Sequence, residues 1–321
     1  MVSAGIVMQF RSVFVTAGRH RTTQTDLHIE GPVVNPHLFR YLLNPKTFCS
    51  KKDIFIIAYV HSTPDHFEKR DAIRQTWGKM KYYLNKRAEV VFIMGQVANT
   101  GVMTSVRNES GIHGDIVQED FVDSYRNLTY KAIAGLKWVS TFCRQAVYVL
   151  KTDGDIFVNV YALVKYMQST AELRYARTKL IQCIVWQNMK VIRNNSSKWY
   201  VSKEEFSPNV YPPYCSGSAY LMSSGVTGRL YRTSLTTQFF WVDDYYITGL
   251  LVHKLNITHR PYNRAYVFDN SRVLEELNNT KHHSYVFFHV NVPMMFKLWN
   301  VVISRESKDV RAKHYKRLDR Y

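Results

Sequence analysis

Through the first half of the chain, short apolar runs alternate with amphipathic stretches. Ile54–Val60 (IFIIAYV) is apolar throughout, as a strand buried on both faces requires. His66–Trp77 follows as a basic helix closed by Gly78, and Glu89–Met94 (EVVFIM) as a second strand stopped by Gly95. Ser124–Val139 reads as a helix, because Leu128, Ala132, Leu136 and Val139 fall on one face. A strand over Ala146–Leu150 and a helix over Val160–Met167 continue the series. This alternation predicts an α/β fold with a mostly parallel central sheet and helices on both faces.

The second half is less regular. Leu180–Gln187 and Ser218–Met222 read as strands, and Lys190–Pro213 as a long polar loop. Phe239–His253 begins with aromatics, passes Asp243-Asp244 and becomes helical through Leu250 and Leu251. Residues 1–52 show no clean periodicity and carry the breaks Gly31-Pro32, Asn35-Pro36 and Asn44-Pro45, so they read as a leader or stem. Residues 305–321 read as a basic C-terminal tail. No internal repeat or low-complexity tract interrupts the chain.

Composition refines this picture in three ways. Hydrophobic residues make up 46% of the chain, enough for a sizeable core. Lys+Arg minus Asp+Glu is 43 − 25 = +18, an excess that attracts anions such as nucleic acid, acidic lipid or a nucleotide phosphate. The four cysteines, Cys49, Cys143, Cys183 and Cys215, form no CxxC pair, which argues against zinc and fits disulfides in an oxidising compartment. Four cysteines allow three pairings. The pairing expected here is Cys49–Cys143, tying the start of the first strand to the approach to the third, and Cys183–Cys215, clipping the long loop.

Sequons at Asn108, Asn127, Asn194, Asn195, Asn256 and Asn278 point to the same compartment. Asn127 lies in a helical block and is expected to stay unglycosylated. The mildly apolar Met1–Gly18 is broken by Arg11 and falls short of the ~20 apolar residues of a membrane span. It reads as a degenerate signal, a truncated anchor or a loop.

The most informative chemistry is Asp153-Gly154-Asp155, just past the strand Ala146–Leu150. Residues two apart on an extended backbone share a side, so two carboxylates aim at one point at a strand's C-terminal end, where open α/β sheets bind ligands. Close carboxylates call for a cation between them, and oxygen ligation suits Mn²⁺ or Mg²⁺. The alternative is an ordinary Asp-Gly turn. A second acidic site, Asp243-Asp244, offers a general base or a pair of helix caps. Arg70 and Arg74 stand four apart on one helix face and suit phosphate, or else a solvated face partnered by Glu68 and Asp71. His289 is either a packed core imidazole or, if the fold brings it to Asp155, a further metal ligand.

Eight blocks carry a resemblance: RDAIRQTWG (70–78), FIMG (92–95), DSYRNLTYK (123–131), YVLKTDGDIFVN (148–159), SKWY (197–200), YPPYCSG (211–217), DDYYITG (243–249) and the segment His289–Asn300. Each is weak alone. Together, in order from about Phe55 to Asn300, they resemble the β-1,3-galactosyltransferase family, glycosyltransferase family 31. The resemblance implies a GT-A-like nucleotide-sugar-binding fold, with a catalytic domain over 53–304. It implies an inverting, metal-dependent hexosyltransferase moving galactose or an N-acetylhexosamine from a UDP-sugar to a sugar acceptor in β1,3 linkage.

By that resemblance Asp153 and Asp155 hold Mn²⁺ (or Mg²⁺) against the UDP-sugar diphosphate, with His289 as a third ligand. Arg70 and Arg74 face the nucleotide, and Asp244 is the base. Asp243 is expected to point instead toward the helix N–H groups or a nearby positive side chain. The acceptor would be a glycan on a glycoprotein or glycolipid, and the location the Golgi lumen or membrane. Two departures stand out: Gly154 replaces a third Asp, and Tyr245 replaces a small apolar residue. The aromatics Trp199-Tyr200 and Tyr211–Tyr214 read as a sugar platform or as core packing. Two other readings remain: a non-catalytic UDP-sugar-binding relative, raised by Gly154, and a nucleic-acid binder, raised by the charge. The latter is disfavoured because the aromatics cluster near acids rather than in a basic groove.

Overall fold

Strands that are apolar throughout must lie inside a sheet covered on both faces. In the computed structural model, which describes residues 31–50, 52–170, 179–278 and 285–318 (side chains through 307), they do. The strands are β1 (Tyr41–Leu43), β2 (Ile56–His61), β3 (Tyr82–Tyr83), β4 (Lys86–Gln96), β5 (Ile116–Val122), β6 (Tyr148–Asp153), β7 (Ile156–Val158), β8 (Ile181–Trp186), β9 (Tyr214–Ser223), β10 (Arg260–Pro261), β11 (Tyr266–Val267) and β12 (Phe287–His289). The main sheet runs β1-β5-β4-β2-β6-β9-β8-β10, with β3 beside β4. Its centre, β5-β4-β2-β6, is parallel; β9 runs antiparallel between β6 and β8, and β1 caps the far edge antiparallel to β5. A small second sheet, β11-β12-β7, stands beside it. The α/β sheet flanked by helices is the one the alternation predicts, though only its centre is parallel and the sheet as a whole is mixed.

Helices α1 (Phe67–Gln75), α2 (Thr100–His113), α3 (Leu128–Phe142), α4 (Val160–Ser169) and α5 (Ser224–Leu235) connect the strands. One core contains Trp77, Phe92, Leu150, Phe157 and Phe288; the other, beneath α3 and α5, contains Tyr59, Trp138, Val149, Met222 and Leu230. The α3 helix lies close on the sheet because Gly135 leaves room: a Cβ there would stand 2.7 Å from the Tyr59 ring.

Among the elements absent from the sequence reading, three of the longer ones are α2, β5 and α5. The α2 helix buries only Met103 and Val106, so its apolar stripe is thin, yet its caps were legible: Asn99 accepts from Val102 N at 3.1 Å and Gly114 closes it at φ 61°. β5 carries Glu119 and Asp120, which mask a strand. The α5 helix is amphipathic, with Val226, Leu230, Tyr231 and Leu235 inside. A fourth difference concerns Gly95, which does not stop β4. The strand passes through an irregularity there, and a Cβ would lie 2.5 Å from the Phe121 carbonyl oxygen.

The segment read as leader or stem is partly built into the sheet. β1 pairs with β5, Asn35 donates to Ser234 O, and the buried His37 meets Glu119 at 2.5 Å. Both expected disulfides are present, with Cα–Cα separations of 5.3 Å (Cys49–Cys143) and 5.6 Å (Cys183–Cys215). The segment read as a basic tail begins within the helix Val292–Leu318. Among the described residues, no helix is long and apolar enough to cross a membrane.

Candidate active site

Parallel strands β2, β4, β5 and β6 end at one edge, and the candidate residues gather there. β6 brings Lys151 and Asp153 to the edge in register with Tyr59 and His61 of β2. Gly154 turns the chain into β7, whose antiparallel pairing with β12 sets His289 opposite Ile156, while Val290 N donates to Asp155 O at 2.9 Å. That pairing carries His289 to Asp155, with Nε2 3.9 Å from Oδ2. The Asp153, Asp155 and His289 side chains keep 41%, 36% and 46% of their surface open. Gly154 is not demanded by space: a Cβ there would make ordinary contact, 3.5 Å from His61 O.

The second acidic pair arrives from the other side. Asp243 and Asp244 open the helical turn Asp243–Tyr245, which continues through a π-helical stretch, Tyr246–Leu250. The N-cap position of that turn is Val242, and Asp243 is its first helical residue, in the first turn where negative charge is favoured. Asp244 is held differently: its Oδ2 accepts from Gly217 N at 2.9 Å. Its carboxylate fills the space a side chain at position 217 would need, since a Cβ there would stand 1.8 Å from Oδ1.

Between the pairs lies Lys151, buried, with its ammonium 2.8 Å from Asp153 Oδ1 and donating to the Gly217 carbonyl. Burial opposes its charge, but Asp153, Asp243 and Asp244 outweigh it and hold the amine above the usual lysine range. Burial pushes Asp244 up to about 8, with Asp243 adding to the rise, and the two titrate as a pair. Burial also raises Asp153, with Asp155 adding to it and Lys151 opposing. A second buried lysine, Lys131 of α3, donates to Ser62 O at 2.6 Å and Asp123 Oδ1 at 2.8 Å. Asp123 Oδ2 accepts from Gly95 N, so this pair knits the ends of β2, β4 and β5 together.

Neither lysine was singled out from the sequence. The signal was there: a lysine inside an apolar strand run such as YVLKTD must find an anion. Beside them opens a cavity of about 570 Å³ lined by Thr63, Asp65, His66, Asn99, Tyr125 and Lys131, among others.

Arg70 and Arg74 do not reach this cleft as free cations. Arg70 is buried, and all five of its N–H donors are spent: on Glu109 (2.8 and 2.6 Å), Ser62 Oγ, Thr63 O and Pro64 O. Arg74 pairs with Asp115 through two bonds of 2.8 Å and with Glu109 at 2.6 Å. Arg70 braces the 62–64 turn at the cleft's rim, and Arg74 ties α1 to Glu109 and Asp115. Their partners come from α2 and the turn after it, not from Glu68 and Asp71 of their own helix. Asp71 instead accepts from Gln75.

The donor set suits a divalent cation in kind, with two carboxylates and an imidazole open to the cleft. Asp155 and His289 already stand together, and Lys151 takes only one oxygen of Asp153. Among the described residues no three such groups are drawn into a closed cluster.

The family model described as galactosyltransferase matches residues 68–263. β-1,3-Galactosyltransferase 1 of Mus musculus, like that of Homo sapiens, is 39% identical over 228 residues, covering 70% of this chain and 68% of that protein. β-1,3-Galactosyltransferase 5 of Homo sapiens is 36% identical over 217 residues, 68% of each chain. Among solved structures, the galactosyltransferase LgtC with donor and acceptor sugar analogues is 10% identical, covering 77% of this chain and 95% of that one, at a TM-score of 0.40.

Proposed function

The chain belongs to the β-1,3-galactosyltransferase family, and from that premise we propose that it transfers galactose from UDP-galactose to a sugar hydroxyl, forming a β1,3 bond with inversion. The observation that carries the reading is the gathering of Asp153, Asp243 and Asp244 around one buried ammonium, Lys151, at the C-terminal edge of the parallel strands, with Asp155 beside Asp153 and its Oδ2 3.4 Å from Lys69 Nζ. Four acids at one edge are costly to assemble unless cations and a proton acceptor are needed there.

In this reading Asp153, Asp155 and His289 hold Mn²⁺ or Mg²⁺. The bound cation supplies Lewis-acid charge to the departing diphosphate. The nucleoside occupies the cavity beside Lys131, which that lysine and Asp123 keep open by fixing three strand ends. Asp244, anchored on Gly217 N, takes the proton of the attacking hydroxyl. Attack from the side opposite the leaving UDP inverts the anomeric carbon. The acceptor is a glycan on a glycoprotein or glycolipid. The two disulfides support a site of action in the secretory pathway, which we take to be the Golgi, with the enzyme associated with its membrane.

The test is direct. Purified protein is incubated with UDP-galactose, Mn²⁺ and glycosides ending in N-acetylglucosamine, N-acetylgalactosamine or galactose, and the product linkage is read by NMR. A β1,3-galactoside that forms with Mn²⁺ and not in excess chelator is expected. An α-linked product, no product from any acceptor, or full turnover with chelator would each sink the corresponding part of the proposal.

A further inference from the structure

The two aromatic stretches of the long loop have different fates. Tyr211 and Tyr214 pack inward against Phe206 and Tyr245, with ring centroids 4.8–6.0 Å apart, and belong to a small core. Trp199 does the opposite: it stays 51% exposed. Tyr125, itself 44% exposed, lies near it on the turn before α3. The exposed Lys198 ammonium sits 4.5 Å from the Trp199 ring and 5.6 Å from the Tyr125 ring.

This surface is joined to the cleft. Tyr125 lines the cavity and lies within electrostatic reach of Asp243, Asp244 and Asp153. It is also fixed in place. Arg193 bonds four carbonyls of the loop, those of Val201, Ser202, Phe206 and Pro208, at 2.6–2.7 Å, and Ser197 Oγ accepts from Trp199 N. A loop stapled in this way holds an exposed indole at one position, which lowers the ordering cost of binding. An exposed aromatic pair with polar edges offers a flat apolar face to sugar C–H groups and hydrogen-bond partners to their hydroxyls.

We propose that Tyr125, Trp199 and Lys198 form the acceptor platform, with the terminal acceptor sugar against Tyr125 and the preceding sugar on Trp199, so that the enzyme selects an oligosaccharide over a single sugar. The inference rests on the galactosyl-transfer reading. Tyr125 stands beside the acid pair that would receive the hydroxyl proton, and Trp199 lies one ring further out, where a second sugar of the chain arrives.

Methyl glycosides ending in N-acetylglucosamine, N-acetylgalactosamine or galactose, each as mono- and disaccharide, are compared by initial rate with UDP-galactose. In parallel they are titrated by intrinsic fluorescence in the presence of UDP and Mn²⁺. For the preferred terminal sugar the disaccharide should show an acceptor KM lower by about tenfold. Trp199→Ala should abolish that difference, Trp199→Tyr should keep most of it, and the KM for UDP-galactose should not move.

The fluorescence response to disaccharide should disappear in Trp199→Tyr, which keeps the ring and loses the indole signal. A wild type indifferent to acceptor length, or a Trp199→Ala protein that keeps the preference, would overturn the platform. If the disaccharide perturbs Trp199 but no galactose is transferred, the platform stands and the transfer reading falls. If the disaccharide leaves Trp199 unperturbed, the platform falls whatever the rates.

Discussion

The acidic edge and the arginine helix look alike as sequence: each is a short run of charges at a spacing that suits a ligand. Folded, they are opposites. The arginines sit in a buried network with Glu109 and Asp115, and Arg70 has all five of its N–H donors spent. The acids keep open surface and sit close enough to raise one another's proton affinity, and Asp153, Asp243 and Asp244 share one buried ammonium, Lys151. What separates a binding group from a structural one is unspent bonding capacity, not residue type. A charge whose partners are all supplied by the fold has nothing left for a substrate.

The sharpest way to break this contrast is Asp244→Asn. It keeps the shape and removes the proton acceptor, so kcat should fall by about 10²–10⁴ while UDP affinity, measured by calorimetry, stays put. Loss of UDP binding instead would move Asp244 to the donor side. On the arginine side, Arg70→Met leaves Glu109 short of its main partner in a buried site. It should cost about 3–5 kcal/mol in denaturant unfolding while leaving the KM for UDP-galactose unchanged in the folded fraction. A raised KM with normal stability would restore Arg70 as a nucleotide ligand.

Gly217→Ala tests the link between the two acidic sites. A Cβ 1.8 Å from Asp244 Oδ1 must displace the carboxylate, and a shift of that size should cost roughly 10² in kcat with UDP affinity retained.

A smaller effect concerns pH. With Asp244 held up to about 8 against an ordinary 3.8, kcat/KM should rise from pH 6 toward a plateau above about 8. For stability the sign is opposite. A carboxyl whose folded-state pKa is raised contributes stability that is complete below its unfolded pKa and is lost as pH climbs through the folded value. Asp244→Asn cannot ionise, so its Tm should exceed that of the wild type at pH 8 and match it near pH 4. Equal Tm values at both pH values would show that the acid pair carries no such strain.

Much of the fold was legible because it depends on local pattern. The runs around Ile56–His61 and Tyr148–Asp153 announce buried strands, and Asp153, Asp155 and Asp244 stand out as candidates beside the readings of a turn and of helix caps. The α2 helix and β5 were hidden for a physical reason. Glu119 in β5 is buried, and its partners, His37 and Lys137, come from 82 residues upstream and 18 downstream. Nothing local reveals that a charge in the middle of a strand will be neutralised from that distance.

The sequence by itself determined the strand and helix alternation, the family, and which acids and cysteines the chain carries, while the disulfide pairing it suggested was decided by the fold. Tertiary structure alone decided which charges were free. It placed Glu109 and Asp115 on the arginines, put Lys151 between the two acidic sites, seated Asp244 in the gap left by Gly217, and turned Tyr211 inward while leaving Trp199 out. Each of those outcomes is a contact between residues far apart in the chain. A one-dimensional pattern fixes which groups are present and which face they share, but whether a group's hydrogen bonds and charge are already satisfied is a property of the neighbours that folding brings to it.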